Sequence, residues 1–441
     1  MSIQSRRNFL KNSAALSASS VLAFQANYSP RVHAGENNTL KLGIVGCGGR
    51  GCGAVGNALD ADPAVELVAA ADVFPERGKN GVAALKEQEQ YKDRINVKDD
   101  CFFGGFDGYK KVFEQDVDIV LLTTPQHFRP IMIKEAVEAG KHIFAEKPVA
   151  VDGAGIKMIQ EAGELARQKG LNIVGGLVNR YGTSAIEVIK RVSDGAIGDV
   201  VSARGDRMGG ALWKRPRTEG QSEMEYQMTN WVNFNWMASE YINDVTIHQL
   251  DIALWSFNDA TPIGAYGMGG RLSRREEDTG DMYDSMAVVY EFADGRSLYA
   301  FSRQIPGSFS RAHTKISGSK GYAVIGNMES QASIYVNGEE IKIPRGTTSG
   351  YVLEHKALID AVRSGGSKYV NNTGYMTNST GCAILGRMCS YNGQYVTWDE
   401  MLASEGDKPS EYSMDATPPT LPDERGRYKI ALPCVGMGYL D

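Results

Sequence analysis

The sequence predicts an α/β doubly wound parallel sheet of the Rossmann type, followed by an α+β domain with a mostly antiparallel open sheet. Three observations carry this. Apolar strand-like runs alternate with helical stretches from about residue 39 to 178, the rhythm of β-α-β units. The first of these runs turns directly into a glycine-rich loop. Beyond residue 179 the pattern changes to alternating runs joined by turn residues such as Asp294-Gly295.

Each element of the first part follows in order. "LKLGIV" is a β-rich run that ends in Gly46-x-Gly48-x-x-Gly51, and "RGCGAVGNALDAD" continues as a helix. A second run, "AVELVAAAD", ends on Asp72, about 20 residues beyond the loop. In such a unit Gly46 permits the tight turn, Gly48 lets a pyrophosphate approach the backbone, and Gly51 allows close helix–strand packing. The helix points its positive end at the phosphates. The Asp72 carboxylate suits ribose hydroxyls and repels a 2′-phosphate, which favours NAD over NADP, although Arg77 nearby blurs that preference. "DVDIVLLTTPQH" is a continuous apolar run typical of a buried parallel strand and ends at Thr123, Thr124 and Pro125. "PIMIKEAVEAG" is a helix stopped by Gly140. "KHIFAEKP" is a strand, "GIKMIQEAGELARQKG" a helix capped by Asp152 and ended by Gly170, and "LNIVGGLV" the last strand.

Composition narrows the class. The 441 residues leave room for two domains, and 42% hydrophobic with 23% charged residues is an ordinary globular balance. A net charge of −6 without basic blocks beyond the first residues argues against nucleic acid. The six cysteines form no C-x-x-C pair and no His-containing metal spacing, so zinc is not expected, and buried inert thiols are. At the start, Arg6-Arg7 precede Phe9-Leu10-Lys11, a serine-diluted apolar stretch and the small-residue site Val32-His33-Ala34. That order is the order of a cleavable export signal, and it resembles the twin-arginine type. Residues 1–34 are therefore set apart from the fold.

With the glycine loop, the strand ending in Thr-Thr-Pro with His127 two residues on, and Glu146-Lys147-Pro148, the chain resembles the Gfo/Idh/MocA oxidoreductases. The resemblance continues through "YINDVTIHQLDIALW" and the late stretches "ALIDAVRSGG" and "ILGRMCSYNGQYVTWDEML". It implies that Lys147 reaches both the reacting hydroxyl and the nicotinamide, often after a cis Lys–Pro bond. It also implies that Asp244 and His248 lie beside that lysine. Four apart, these two share one face of a helix, and the imidazole suits proton transfer near neutral pH. Asp244 would orient His248; Asp251 is the alternative for that role. The cofactor-facing set is Gly46, Gly48, Arg50, Gly51, Asp72, Thr124, Pro125, His127, Glu146 and Lys147. Among these, His127 is structural or nicotinamide-adjacent, because Arg129 stands where relatives often carry a second histidine.

The second domain spans residues 179–405 and a Pro- and Gly-rich tail 406–441, the latter expected to extend over a neighbouring surface. Within "EMEYQMTNWVNFNWMASEYIND" the aromatics and amides serve either as core or as a sugar platform. Arg180, Tyr181, Trp231, Asn235 and Trp236 are the substrate candidates. The resemblance implies a homo-oligomer formed through the open sheet, and a sugar-like small-molecule substrate. The expected activity is hydride transfer between a sugar, cyclitol or glycoside hydroxyl and NAD. An NAD-assisted glycoside hydrolase and a non-catalytic sugar-binding protein are the alternatives. Twin-arginine passengers cross the membrane folded, so an exported, periplasmic enzyme is expected to load NAD first and hold it tightly.

Overall fold

The apolar runs of the first half become one six-stranded parallel sheet in a computed structural model that describes residues 39–434 and the short strand Tyr439–Leu440. The predicted export segment, residues 1–34, lies outside the described residues. The strands are β1 (Leu40–Val45), β2 (Val65–Asp72), β3 (Phe102–Gly104), β4 (Ile119–Leu122), β5 (His142–Ala145) and β6 (Ile173–Gly175), in the order β3-β2-β1-β4-β5-β6. Every neighbouring pair is parallel. The order reverses between β1 and β4, and at such a switch point a crevice opens above the carboxyl ends of the strands. Strand β3 has no sequence signal: it is a three-residue edge piece held by pairing to Ala70, Ala71 and Asp72.

Helices cover both faces. α1 (Gly49–Ala61) and α2 (Pro75–Lys86) lie on one side; α3 (Gly108–Glu114), α4 (Arg129–Glu138) and α5 (Gly153–Lys169) lie on the other. The Asp152 carboxylate accepts from the Gly155 N–H at 2.7 Å and Gly170 closes α5 at φ +67°, so the predicted cap and stop both form. Because both faces are covered, strands such as β4 read as unbroken apolar runs.

After α6 (Thr183–Ser193) the chain builds a nine-stranded sheet. Its strands are β7 (Val200–Gly209), β8 (Gly264–Gly270), β9 (Ser285–Glu291), β10 (Ser297–Gln304), β11 (Arg311–Gly318), β12 (Gly321–Gly326), β13 (Ala332–Val336), β14 (Glu339–Lys342) and β15 (Val396–Thr397). All its described pairings are antiparallel except β7 with β10. The predicted hairpin joins β9 and β10 through Gly295 at φ +84°. The excursion between β7 and β8 carries α7 (Glu223–Thr229), α8 (Asn235–Ala238), a π-helical turn over Ile242–Thr246, and α9 (Ile247–Ser256). Two late helices, α10 (Gly350–Arg363) and α11 (Thr373–Asn392), return to the first sheet, where Leu358 and Ile359 pack on its α1 side.

One continuous apolar cluster runs from the α4 and α5 side of the first sheet into Phe234, Leu250, Tyr290 and Leu298 of the second domain. The tail folds back on its own chain instead of reaching outward: Tyr428 is buried there, in edge contact with Phe234. Cys47, Cys382 and Cys389 are buried thiols as expected, whereas Cys434 is exposed.

Candidate active site

The crevice above β1, β2 and β4 is lined by Gly46, Gly48, Asp72, Thr124, Pro125 and, from the second domain, Trp231. Gly46 turns the chain at φ +94°. A Cβ on Gly51 would lie 1.9 Å from the Gly46 carbonyl oxygen, so α1 can seat against the loop only without a side chain there. Gly48 differs. Its φ of −69° suits any residue, and a Cβ would meet nothing within 4 Å. No protein neighbour explains that glycine; a dinucleotide phosphate drawn against the backbone and the start of α1 does.

Asp72 is held at the end of β2 with Oδ2 accepting from the Cys47 N–H at 2.8 Å and Oδ1 from the Phe74 N–H at 2.9 Å. Burial pushes its carboxyl upward, while those two bonds and Arg77 pull it back. Each oxygen keeps a lone pair for a ribose hydroxyl. Arg50 and Glu146, both placed in the cofactor set, are paired with each other: Arg50 Nε donates to Glu146 Oε1 at 2.5 Å. Arg50 also approaches Glu354 at 3.4 Å and lies over the Tyr351 ring. This latch ties the start of α1 to the end of β5.

Lys147 follows Glu146 and begins a cis Lys–Pro peptide. Its Nζ donates to the backbone carbonyl of Asp244 at 2.6 Å. The lysine, on the first domain, and the 244–248 segment, on the second, therefore do meet. Burial pulls the Lys147 ammonium down, as do Arg129 and Arg207, while Asp244 and Glu146 oppose the shift. His248 sits on the first turn of α9, buried, and is pulled well below its ordinary 6.5 by desolvation, then by Lys147, Arg207 and Arg50. It is thus a neutral imidazole at physiological pH. Its Nδ1 is sealed from solvent without a partner, which leaves Nε2 as the ring nitrogen that is not sealed.

The expected Asp244–His248 couple does not form. Asp244 lies in the π turn, and its carboxylate is taken by a first-domain side chain. Its Oδ1 accepts from Gln126 Nε2 at 2.9 Å. Asp251 does not orient His248 either. It accepts from Arg180 at 2.8 Å and from the Ser379 hydroxyl at 2.8 Å.

Four of the five substrate candidates are occupied elsewhere. Arg180 bridges Asp251 and Asp259, with its guanidinium 4.1 Å from the Tyr375 ring centre, a buried structural pair of the strong bidentate kind. The Tyr181 hydroxyl donates to Asn372 at 2.7 Å. Trp236 is buried and donates to Gln227 at 2.7 Å. The Asn235 amide donates to the Tyr391 hydroxyl, although its carbonyl oxygen is buried without a partner. Trp231 alone faces the crevice.

His127 is packed, not cofactor-lining. Its ring meets Trp236 and Phe128 edge-on, Nε2 pairs with the tail's Tyr412 hydroxyl at 2.6 Å, and burial lowers it to about 4. Tyr412 also packs on Phe106 and Phe128, both of which line the crevice. The tail therefore braces one wall of the site. Gln126 and Arg207 are the site residues that sequence reasoning missed. Gln126 directly follows the Thr-Thr-Pro strand end, and that position was its only signal; Arg207 sits in an unremarkable strand.

The comparisons bear on the fold that carries this site. Residues 40–176 match the model described as oxidoreductase family, NAD-binding Rossmann fold, and residues 186–324 match the GFO/IDH/MocA C-terminal domain. A glycosyl hydrolase family 109 protein of Shewanella baltica is 23% identical over 360 residues, covering 78% of this chain and 69% of its own. An alpha-N-acetylgalactosaminidase of Shewanella oneidensis is 24% identical over the same shares. The aldose-aldose oxidoreductase of Caulobacter crescentus, solved with glycerol, shares the fold at a TM-score of 0.63 and 18% identity, over 81% of this chain and 99% of that one. The WlbA dehydrogenase of Bordetella pertussis, solved with NADH and UDP-GlcNAcA, shares it at 0.61 and 17%, over 81% and 98%.

Proposed function

Because the chain belongs to the Gfo/Idh/MocA family, with an NAD-binding Rossmann domain, we propose that it oxidises a hydroxyl of a sugar, cyclitol or glycoside. The observation that carries this reading is the Lys147 ammonium seated on the Asp244 carbonyl, with neutral His248 on the following turn and the Asp244 carboxylate bonded to Gln126, the neighbour of crevice-lining Pro125. A bound nicotinamide supplies the hydride acceptor. Lys147 donates to the reacting oxygen and stabilises its developing negative charge. Nε2 of His248 takes the hydroxyl proton. Asp244 acts on the lysine through its carbonyl, and on Gln126 through its carboxylate, so it positions the centre instead of polarising the imidazole. Gly46, Gly48, Gly51, Asp72, Thr124 and Pro125 are the residues that would hold the dinucleotide, and Asp72 favours NAD.

The pH profile follows from two depressed groups. Activity needs His248 neutral and Lys147 protonated. Burial moves the first below its ordinary 6.5 and the second below its ordinary 10.5. The acid limb of kcat/KM should therefore fall below pH 6.5 and the alkaline limb below pH 10.5, as measured by steady-state rates across pH. An acid limb above 6.5 removes His248 as the base.

A second reading has its own observation: the Shewanella relatives carry glycoside-hydrolase names. In that reading the same oxidation is transient and bond cleavage follows. Incubating the purified protein with free sugars and aryl glycosides, then following mass and nucleotide absorbance, separates the two. Loss of two hydrogens with a reduced nucleotide is expected; released aglycone without net reduction selects the hydrolase, and neither outcome removes both.

Export through the twin-arginine route, a periplasmic location and a tightly held NAD belong to this proposal, as does assembly through the open sheet, where Val201, Tyr266, Met268 and Tyr299 are exposed. Tight retention is consistent with the tail's brace on the crevice wall. Tyr412→Ala should raise the loss of nucleotide during gel filtration by about tenfold, the scale of one aromatic contact and its hydrogen bond. Unchanged retention would show that the tail plays no part in it.

A further inference from the structure

Strand β7 aims at the reactive centre one cation that no acid answers. Beyond the register shift at Val201, its odd positions face the helical side of the sheet. A Cβ at Gly205 would meet Gln249 Cβ at 3.0 Å, and one at Gly209 would meet the Tyr241 hydroxyl at 3.2 Å. Arg207 lies between them, so strand alternation directs its side chain at the π turn and the start of α9. Its cross-strand partner Ser302 fixes the same level, with Oγ 2.9 Å from Thr246 Oγ1 inside that turn. The even positions go to the opposite face, where Asp206 is shared by Arg204, Arg311 and His313.

The other cations at the centre have dedicated partners. Arg50 holds Glu146 and Glu354, Arg129 donates to the Pro148 carbonyl, and Lys147 donates to the Asp244 carbonyl. Among the described residues, the Arg207 side chain makes no hydrogen bond or ion pair. It is half-buried, and its charge reaches Lys147, His248 and Tyr351. A guanidinium placed beside the lysine and the imidazole with all its donors unspent is suited to a planar or tetrahedral oxyanion. The dinucleotide phosphates do not answer it, since their seat is the Gly48 end of α1 on the other domain.

We infer that the substrate carries an oxyanion, a carboxylate or a phosphate ester, and that Arg207 receives it while Lys147 and His248 address a hydroxyl of the same molecule. The inference rests on the hydride-transfer reading for the second half of that sentence only. It narrows the substrate from sugars in general to acidic sugars.

The test uses the full-length protein with its nucleotide bound. Calorimetry compares glucose with glucuronate, galactose with galacturonate, and glucose with glucose 6-phosphate, and nucleotide reduction is read in the same samples. The acidic member of at least one pair should bind about tenfold or more tightly; the carboxylate and phosphate arms identify which oxyanion is used. Arg207→Gln should collapse that acid-to-neutral ratio to below about threefold, with Arg207→Lys intermediate. Equal binding of acid and neutral members, no binding by any member, an unchanged ratio in Arg207→Gln, or a variant that folds but loses its nucleotide would each overturn the assignment. Tight acid binding without nucleotide reduction keeps the anion site and removes the hydride-transfer reading. Reduction by neutral sugars as efficient as by acids does the reverse.

Discussion

Lys147→Ala should lower kcat/KM by about 1,000-fold while the protein keeps its nucleotide. The lysine follows the end of β5 in the first domain, and its ammonium crosses the domain boundary to donate to the Asp244 carbonyl. Removing a donor that faces developing oxyanion charge costs about 100- to 1,000-fold in comparable sites. Here the loss falls at the upper end, because the crevice is buried and the neighbouring cations are tied to other partners or displaced from the reacting oxygen. The substitution also strands the Asp244 carbonyl, a stability cost of about 1–3 kcal/mol. Lys147→Arg should not restore activity, since a planar fork cannot occupy the single-donor seat on that carbonyl. Single-turnover reduction of the bound nucleotide, with nucleotide content measured after denaturation, checks both parts. A loss below tenfold would remove Lys147 from the chemistry.

The second large effect separates two glycines of one loop. Gly51→Ala sets a methyl 1.9 Å from a backbone carbonyl oxygen and 2.7 Å from Thr123 Oγ1. Neither the loop nor the strand end can yield, because Thr123 already donates to the Gly46 carbonyl. Helix α1 must back away, at about 3 kcal/mol or more, and nucleotide affinity should drop by about 100-fold or more with it. Gly48→Ala meets no protein atom. Its melting temperature should stay within about 2 °C of the parent, yet its nucleotide content should fall. Thermal melts and the nucleotide released on denaturation read both variants. If Gly48→Ala holds its nucleotide as well as the parent does, the loop is a structural turn only.

Much of this architecture was legible in the sequence because the parallel strands bury both faces and so announce themselves as apolar runs. The glycine loop, Asp72 and the Thr-Thr-Pro strand end, which line one crevice, are readable because each has a local signature set by one turn of chain, whereas Lys147 is singled out by the family resemblance of Glu146-Lys147-Pro148. What failed was contact between distant segments. Arg180 reads as a sugar-binding cation until Asp251 and Asp259 are brought to it by α9 and the loop after it. His127 reads as part of the crevice until the tail returns with Tyr412. Arg207 looks like any strand arginine, and only the register with Ser302 shows which face it takes. Asp244 and His248 were paired by counting residues at helical spacing, and the distant Gln126 takes the carboxylate instead.

That turn over Ile242–Thr246 has a structural consequence of its own. A π turn is in effect an α-helix carrying one inserted residue. Five residues at π pitch turn the chain about as far as four at α pitch, so excising a single residue would let the ladder close with the flanking segments still in phase. What would be lost is the bulge itself, and with it the local backbone that presents the Asp244 carbonyl to the lysine. One codon thus separates an assembled centre from a dismantled one on an otherwise intact scaffold.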